Sequence, residues 1–88
     1  MTTNLMQRAV IYASTINKDD KYNCYIDRIN EDKSIVIKMR RNGLYMGTLK
    51  VLNDVTPRDK RSIRKLAINL HNIMENDTYN TVHMTICL

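Results

Sequence analysis

The chain has 88 residues, a length that suits one hydrophobic core and one small α+β domain over residues 1–88. Apolar residues make up 43% and charged residues 26%, a balance that excludes wholesale disorder, and no apolar run is long enough for a membrane-spanning helix. The net charge of +5 favours acidic partners such as nucleic acid, and two cysteines are too few for a disulfide framework.

In chain order, residues 5–16, LMQRAVIYASTI, come first. Val10-Ile11-Tyr12 and Thr15-Ile16 favour a strand, while Leu5, Ala9, Tyr12 and Ile16 also fit one face of a helix. Strand is the preferred reading and helix the alternative. Residues 22–29, YNCYIDRI, predict a second strand, and the polar Asn30-Glu31-Asp32-Lys33 a turn.

Residues 34–40 and 44–52 predict two strands joined around Asn42-Gly43, a strong hairpin signal. A two-residue loop places Ile35, Ile37 and Met39 on the face of Leu44, Met46, Thr48 and Lys50. A three-residue loop, Arg41 to Gly43, places them with Tyr45, Gly47, Leu49 and Val51, which is more uniformly apolar. A one-residue slip exchanges core for solvent along the whole strand, so the apolar face selects the longer loop, with Gly43 left-handed and a bulge. Tyr45 then faces the core, and Val36, Lys38, Arg40, Leu44, Met46 and Lys50 face outward.

Residues 56–76 predict a helix. Thr56 is placed as N-cap, Pro57 at the first helical position and Asp59 as the capping-box acid. Ile63, Leu66, Ala67, Leu70, Ile73 and Met74 form its apolar stripe. Residues 76–80, NDTYN, end the helix. The last segment, TVHMTICL, alternates cleanly, with Val82, Met84, Ile86 and Leu88 on one side and Thr81, His83, Thr85 and Cys87 on the other. The expected fold is therefore a mostly antiparallel five-stranded sheet, β-β-β-β-α-β, with one amphipathic helix packed on one face.

The charge layout of that helix is its most unusual feature. Arg58, Lys60, Arg61, Arg64 and Lys65 crowd its first half, and Glu75 and Asp77 sit at its far end. The helix dipole prefers the reverse, at about 0.3–1 kcal/mol per misplaced charge. Core packing does not require that layout. Arg58, Arg61, Arg64 and Lys65, with Arg40 and Arg41 at the hairpin tip, are the expected nucleic-acid or anion-binding residues. The outward sheet face supplies the alternative, a protein interface built from Val36, Lys38, Leu44 and Met46 with a basic rim.

Catalytic chemistry has little support. The chain has only Gly43 and Gly47 for a phosphate loop, and its turn carboxylates are too exposed for a pocket. His71, His83, Cys24 and Cys87 lack metal-ligand spacing and are expected as ordinary side chains, the two imidazoles at the surface. The expectation is a small non-enzymatic binding protein with no cofactor and no metal. It would engage nucleic acid or a nucleic-acid-handling complex. The alternative is a protein-protein inhibitor or adaptor that binds a host protein, with a homodimer through the last strand as a further option. Ten Asn and ten Ile point to an AT-rich genome such as a phage or virus. The N-terminus carries no secretory pattern, so the expected location is cytoplasmic, or the host cytoplasm for a viral chain.

Overall fold

A computed structural model describes residues 3–76 and 81–88. The described elements are α1 (Leu5–Ile16), β1 (Tyr22–Ile29), β2 (Ile35–Arg41), β3 (Leu44–Leu52), α2 (Lys60–Asn76) and β4 (Val82–Cys87). The class is α+β, as expected, but the sheet has four strands in the order β1-β2-β3-β4. β1, β2 and β3 are antiparallel and β4 runs parallel to β3, so the sheet is mixed. The expectation of five strands and one helix is corrected on both counts.

The first segment is helical because its local chemistry closes a helix end. Asn4 accepts the Gln7 backbone N–H at 2.8 Å, and Gln7 Oε1 accepts the Asn4 N–H at 2.9 Å, a complete capping box. Ala9, Tyr12, Ala13 and Ile16 recur at helical spacing and are buried. The small Ala9 and Ala13 let α1 lie close to α2, whose Ala67 is also fully buried. At its far end Asn17 bonds both the N–H and the carbonyl of Cys24 through its side chain, at 2.7 and 2.8 Å, which ties α1 to β1. Arg8 is buried on this helix, and its guanidinium donates to the Thr3 carbonyl and to Asn53 Oδ1. A buried cation without a carboxylate depends on such acceptors.

The hairpin departs from expectation in an instructive way. Arg41 pairs with Leu44 across a two-residue turn, with Asn42 at φ 51° and Gly43 at φ 80°. Positive φ at both positions is the type I′ pattern that Asn-Gly favours. Gly43 is left-handed as expected, and a bulge exists, but it sits inside the ladder. Arg40 faces Tyr45 and Met39 faces Gly47, leaving Met46 as the extra residue. Beyond it Ile37 faces Leu49 and Ile35 faces Val51, so the inward face is the expected one. The bulge exchanges two side chains. Met46 is buried at 2% exposure and Tyr45 stands out at 49%, the opposite of the sequence expectation for both. A buried methionine gains the apolar contact that a phenol hydroxyl would have to give up for a hydrogen bond.

The start of α2 is also corrected. Asp59 is the cap: its carboxylate accepts the Ser62 N–H at 2.7 Å and its carbonyl the Ile63 N–H at 3.0 Å. Thr56, Pro57 and Arg58 precede the helix. The Arg58 N–H is committed elsewhere, donating to the Leu88 carbonyl at 2.8 Å. Both helices contribute to one core with the inward sheet residues Ile35, Ile37, Met39, Leu49 and Val51. The outer sheet face carries no helix among the described residues. Asp77 and Tyr79 lie outside the described residues.

Candidate nucleic-acid interface

The cations of α2 and its lead-in are all exposed: Arg58, Lys60, Arg61, Arg64 and Lys65. None of them forms an ion pair among the described residues. Three of the sheet and loop cations are paired. Lys21 bonds Glu75 at 2.8 Å, Arg28 bonds Asp27 at 2.9 Å, and Lys50 lies 3.6 Å from Asp32. Lys18, Lys33, Lys38, Arg40 and Arg41 also form no ion pair among the described residues, but the five cations at the amino-terminal end of α2 lie within eight residues of chain, where the free N–H groups add to the positive potential. Arg58 is the anchored member, since its Nε donates to the Cys87 carbonyl at 3.1 Å.

The structure separates the expected site residues. Arg41 reaches the opposite end of α2, where its guanidinium donates to the Met74 carbonyl at 3.4 Å. A cation at the carbonyl end of a helix is favourable, so Arg41 partly offsets the inverted charge layout of α2. Along α2, Met74 lies about 13 Å from Lys65 and about 21 Å from Lys60. Arg40 is exposed on the outer sheet face beside Tyr45. Helix cations and hairpin arginines thus form no single patch.

The outer face holds a shallow groove of about 410 Å³ lined by Asp27, Arg28, Lys38, Arg40, Tyr45 and Thr48. Lys38 Nζ lies 5.8 Å from the Tyr45 ring centre, and Thr48 Oγ1 is 3.1 Å from His83 Nδ1. The apolar contact residues expected on this face are not gathered there. Met46 faces the core, Val36 is 5% exposed, and Leu44, at 74%, stands at the hairpin tip.

One convergence has no local signal in the sequence. His71, expected at the surface, is buried at 5% exposure. Its Nε2 lies 3.0 Å from Asp19 Oδ2 and 3.8 Å from Glu75 Oε1, and its ring meets Tyr22 edge-on at 5.1 Å. Asp19 is 52 residues away in the chain, so only the packing of α2 over the start of β1 brings the pair together. Asp19, His71 and Glu75 offer three metal-ligand atoms within 4.8 Å of one another. Lys21 occupies the other Glu75 oxygen, and the group acts as a clamp between the α1–β1 connection and α2.

Three carboxylates are held below the usual range. The Lys21 hydrogen bond acts first on Glu75, the Ser62 backbone N–H on Asp59, and the Ser34 hydroxyl on Asp32. Each is more acidic folded than unfolded. The stability they contribute is complete above the ordinary carboxylate range and is lost as pH falls through their lowered folded values. Urea titrations are expected to show a plateau between about pH 5 and 7 and a decline below it; a protein that gains stability on acidification from pH 5 would contradict these contacts. Burial pushes the Cys24 thiol up to about 12, whereas Cys87 is a free, exposed thiol.

Set against models of known families, curated proteins and solved structures, the chain matches none.

Proposed function

We propose that this protein is a non-enzymatic module that binds nucleic acid, or a complex that handles it, through the amino-terminal half of α2. The observation that carries the reading is the unpaired cluster of Arg58, Lys60, Arg61, Arg64 and Lys65, in a chain whose cations at Lys21, Arg28 and Lys50 all have acids. Unpaired cations on one exposed helix face suit a partner with closely spaced anions, and a phosphate backbone supplies them. Arg64 and Lys65 lie one turn beyond Lys60 and Arg61, so successive turns present charge along the helix. Two free cysteines suit a reducing, cytoplasm-like compartment.

The test is the salt dependence of affinity for a labelled duplex and a labelled single strand. About four phosphate contacts give a slope near −3.6 in log K against log salt for a duplex, or roughly a hundredfold loss from 50 to 200 mM. A dissociation constant that stays flat over that range, on both probes, rejects the reading.

A further inference from the structure

The start of β1 and the end of α2 bring together more polar chemistry than a clamp needs. His71 and Glu75 stand four residues apart on α2 and so share one of its faces. Asp19 reaches them from the connection between α1 and β1. Its Oδ2 lies 3.0 Å from His71 Nε2, and Glu75 Oε1 lies 3.8 Å from the same nitrogen. The three donor atoms all fall within 4.8 Å of one another. A tetrahedral ion with bonds of about 2.0–2.1 Å holds its ligands roughly 3.3 Å apart, and the two separations at Nε2 lie either side of that value.

A second, independent feature points to a ligand at the same place. Among the described residues, three buried side-chain polar atoms lack a hydrogen-bond partner, and two of them, the Tyr22 hydroxyl and His71 Nδ1, belong to this cluster. Tyr22 is 3% exposed and meets the His71 ring edge-on. The Glu75 carboxyl is held low first by Lys21 and in small part by the Tyr22 hydroxyl, which stands beside it without completing a hydrogen bond. Orphaned buried polar atoms are rare in native proteins, and an ion with its water accounts for them. The surroundings also suit a cation. Lys21 bonds the other Glu75 oxygen at 2.8 Å, which fixes the carboxylate and leaves Oε1 for the ion. α2 has no basic residue of its own in its last turn, so its carbonyl end favours positive charge here.

We propose that Asp19 Oδ2, His71 Nε2 and Glu75 Oε1 bind one divalent cation of the zinc class, with water in the fourth position. One imidazole with two carboxylates suits zinc and its transition-metal neighbours, whereas magnesium and calcium prefer oxygen ligands alone. The two carboxylates balance the charge of the ion. The ion takes the place of the hydrogen shared by His71 and Asp19, and the imidazole stays neutral with its proton on Nδ1. Water on the ion beside Glu75 gives the Tyr22 hydroxyl the partner it lacks. The ion ties the α1–β1 connection to α2, so its binding free energy adds to folding. None of its ligands belongs to the cation cluster of α2, and the site stands apart from the phosphate-binding reading.

Calorimetric titration of chelator-treated protein with zinc, and separately with magnesium, decides it. The expected result is one zinc per chain with a Kd below about 100 µM, and a urea midpoint that rises with zinc and not with magnesium. Asp19→Asn keeps an oxygen that accepts from His71 but gives up the charged ligand, and Asp19 is exposed, so the fold should survive it. Asp19→Asn and Glu75→Gln are each expected to weaken zinc binding at least tenfold with an unchanged far-ultraviolet spectrum. His83→Ala with Cys87→Ser removes the exposed imidazole and thiol elsewhere and should leave binding intact. A zinc Kd above about 100 µM overturns the proposal. So does an affinity unchanged in Asp19→Asn, or one lost in the His83→Ala, Cys87→Ser double variant. Should Glu75→Gln fail to fold, Asp19→Asn alone decides.

Discussion

Gly47→Ala is expected to be among the most destabilising single changes in the chain. Gly47 pairs with Val82 where β3 meets β4, and its φ of 149° is one that residues with a Cβ rarely adopt. A Cβ built there would stand 1.8 Å from the Val82 carbonyl oxygen and 2.8 Å from the Val82 nitrogen. Both are backbone atoms of the parallel ladder, so no side-chain rotation relieves the overlap and β4 itself has to move. Overpacking typically costs about 1–3 kcal/mol, and an unfavourable φ about 1–3 more. Against a typical total of about 5–15 kcal/mol, that removes much of the stability of a small domain. Gly43→Ala is the matched control. Gly43 also has positive φ, at 80°, but nothing lies within 4 Å of its added Cβ, so the cost is about 1 kcal/mol. Urea denaturation of both variants measures the difference. Equal losses at the two glycines would mean that β4 does not approach β3 as described.

The second large effect is on binding. Arg61→Glu with Lys65→Glu is expected to weaken nucleic-acid affinity by roughly 10²–10³ at low salt and to flatten the salt slope by about two. Two phosphate contacts disappear and two repulsions replace them. The fold should tolerate both changes, since Arg61 and Lys65 are exposed and form no ion pair among the described residues. The informative control is Arg28→Glu with Lys50→Glu on the sheet. It alters net charge by the same amount but removes cations that already have acids at Asp27 and Asp32. A general charge effect weakens binding equally in both doubles, whereas the helix site requires a much larger loss in the first. A larger loss in the second would move the interface to the outer sheet face.

Several elements were legible in the residues. The α2 stripe is visible in its spacing, and Ile63, Ala67, Leu70 and Met74 are buried as that spacing predicts. The alternation of the last strand places Val82 and Leu88 inside and His83 outside. Asn42-Gly43 announces its hairpin, and the polar residues after β1 form a turn in which Lys33 donates to the Asn30 carbonyl at 3.0 Å. The helical state of residues 5–16 was also encoded, in the Asn4–Gln7 capping box that precedes the apolar stripe. The β-branched cluster Val10-Ile11 outweighed it, because propensity is a weaker guide than an end signal paired with a period.

What the sequence determined by itself are the short-range facts: which segments are amphipathic, where the turns fall and where the positive charge collects. Those depend on neighbours within a helical turn or a hairpin. The tertiary structure alone decided the rest. It set the bulge that turns Tyr45 out and Met46 in, the parallel seat of β4, and the start of α2 after Asp59. It also joined His71 to Asp19 and sent Arg40 and Arg41 to different surfaces. Each of these is a contest for burial or for a backbone hydrogen-bond partner between segments far apart in the chain. The Arg58 N–H takes the Leu88 carbonyl rather than a place in the first turn of α2, and no pattern local to Arg58 contains that carbonyl.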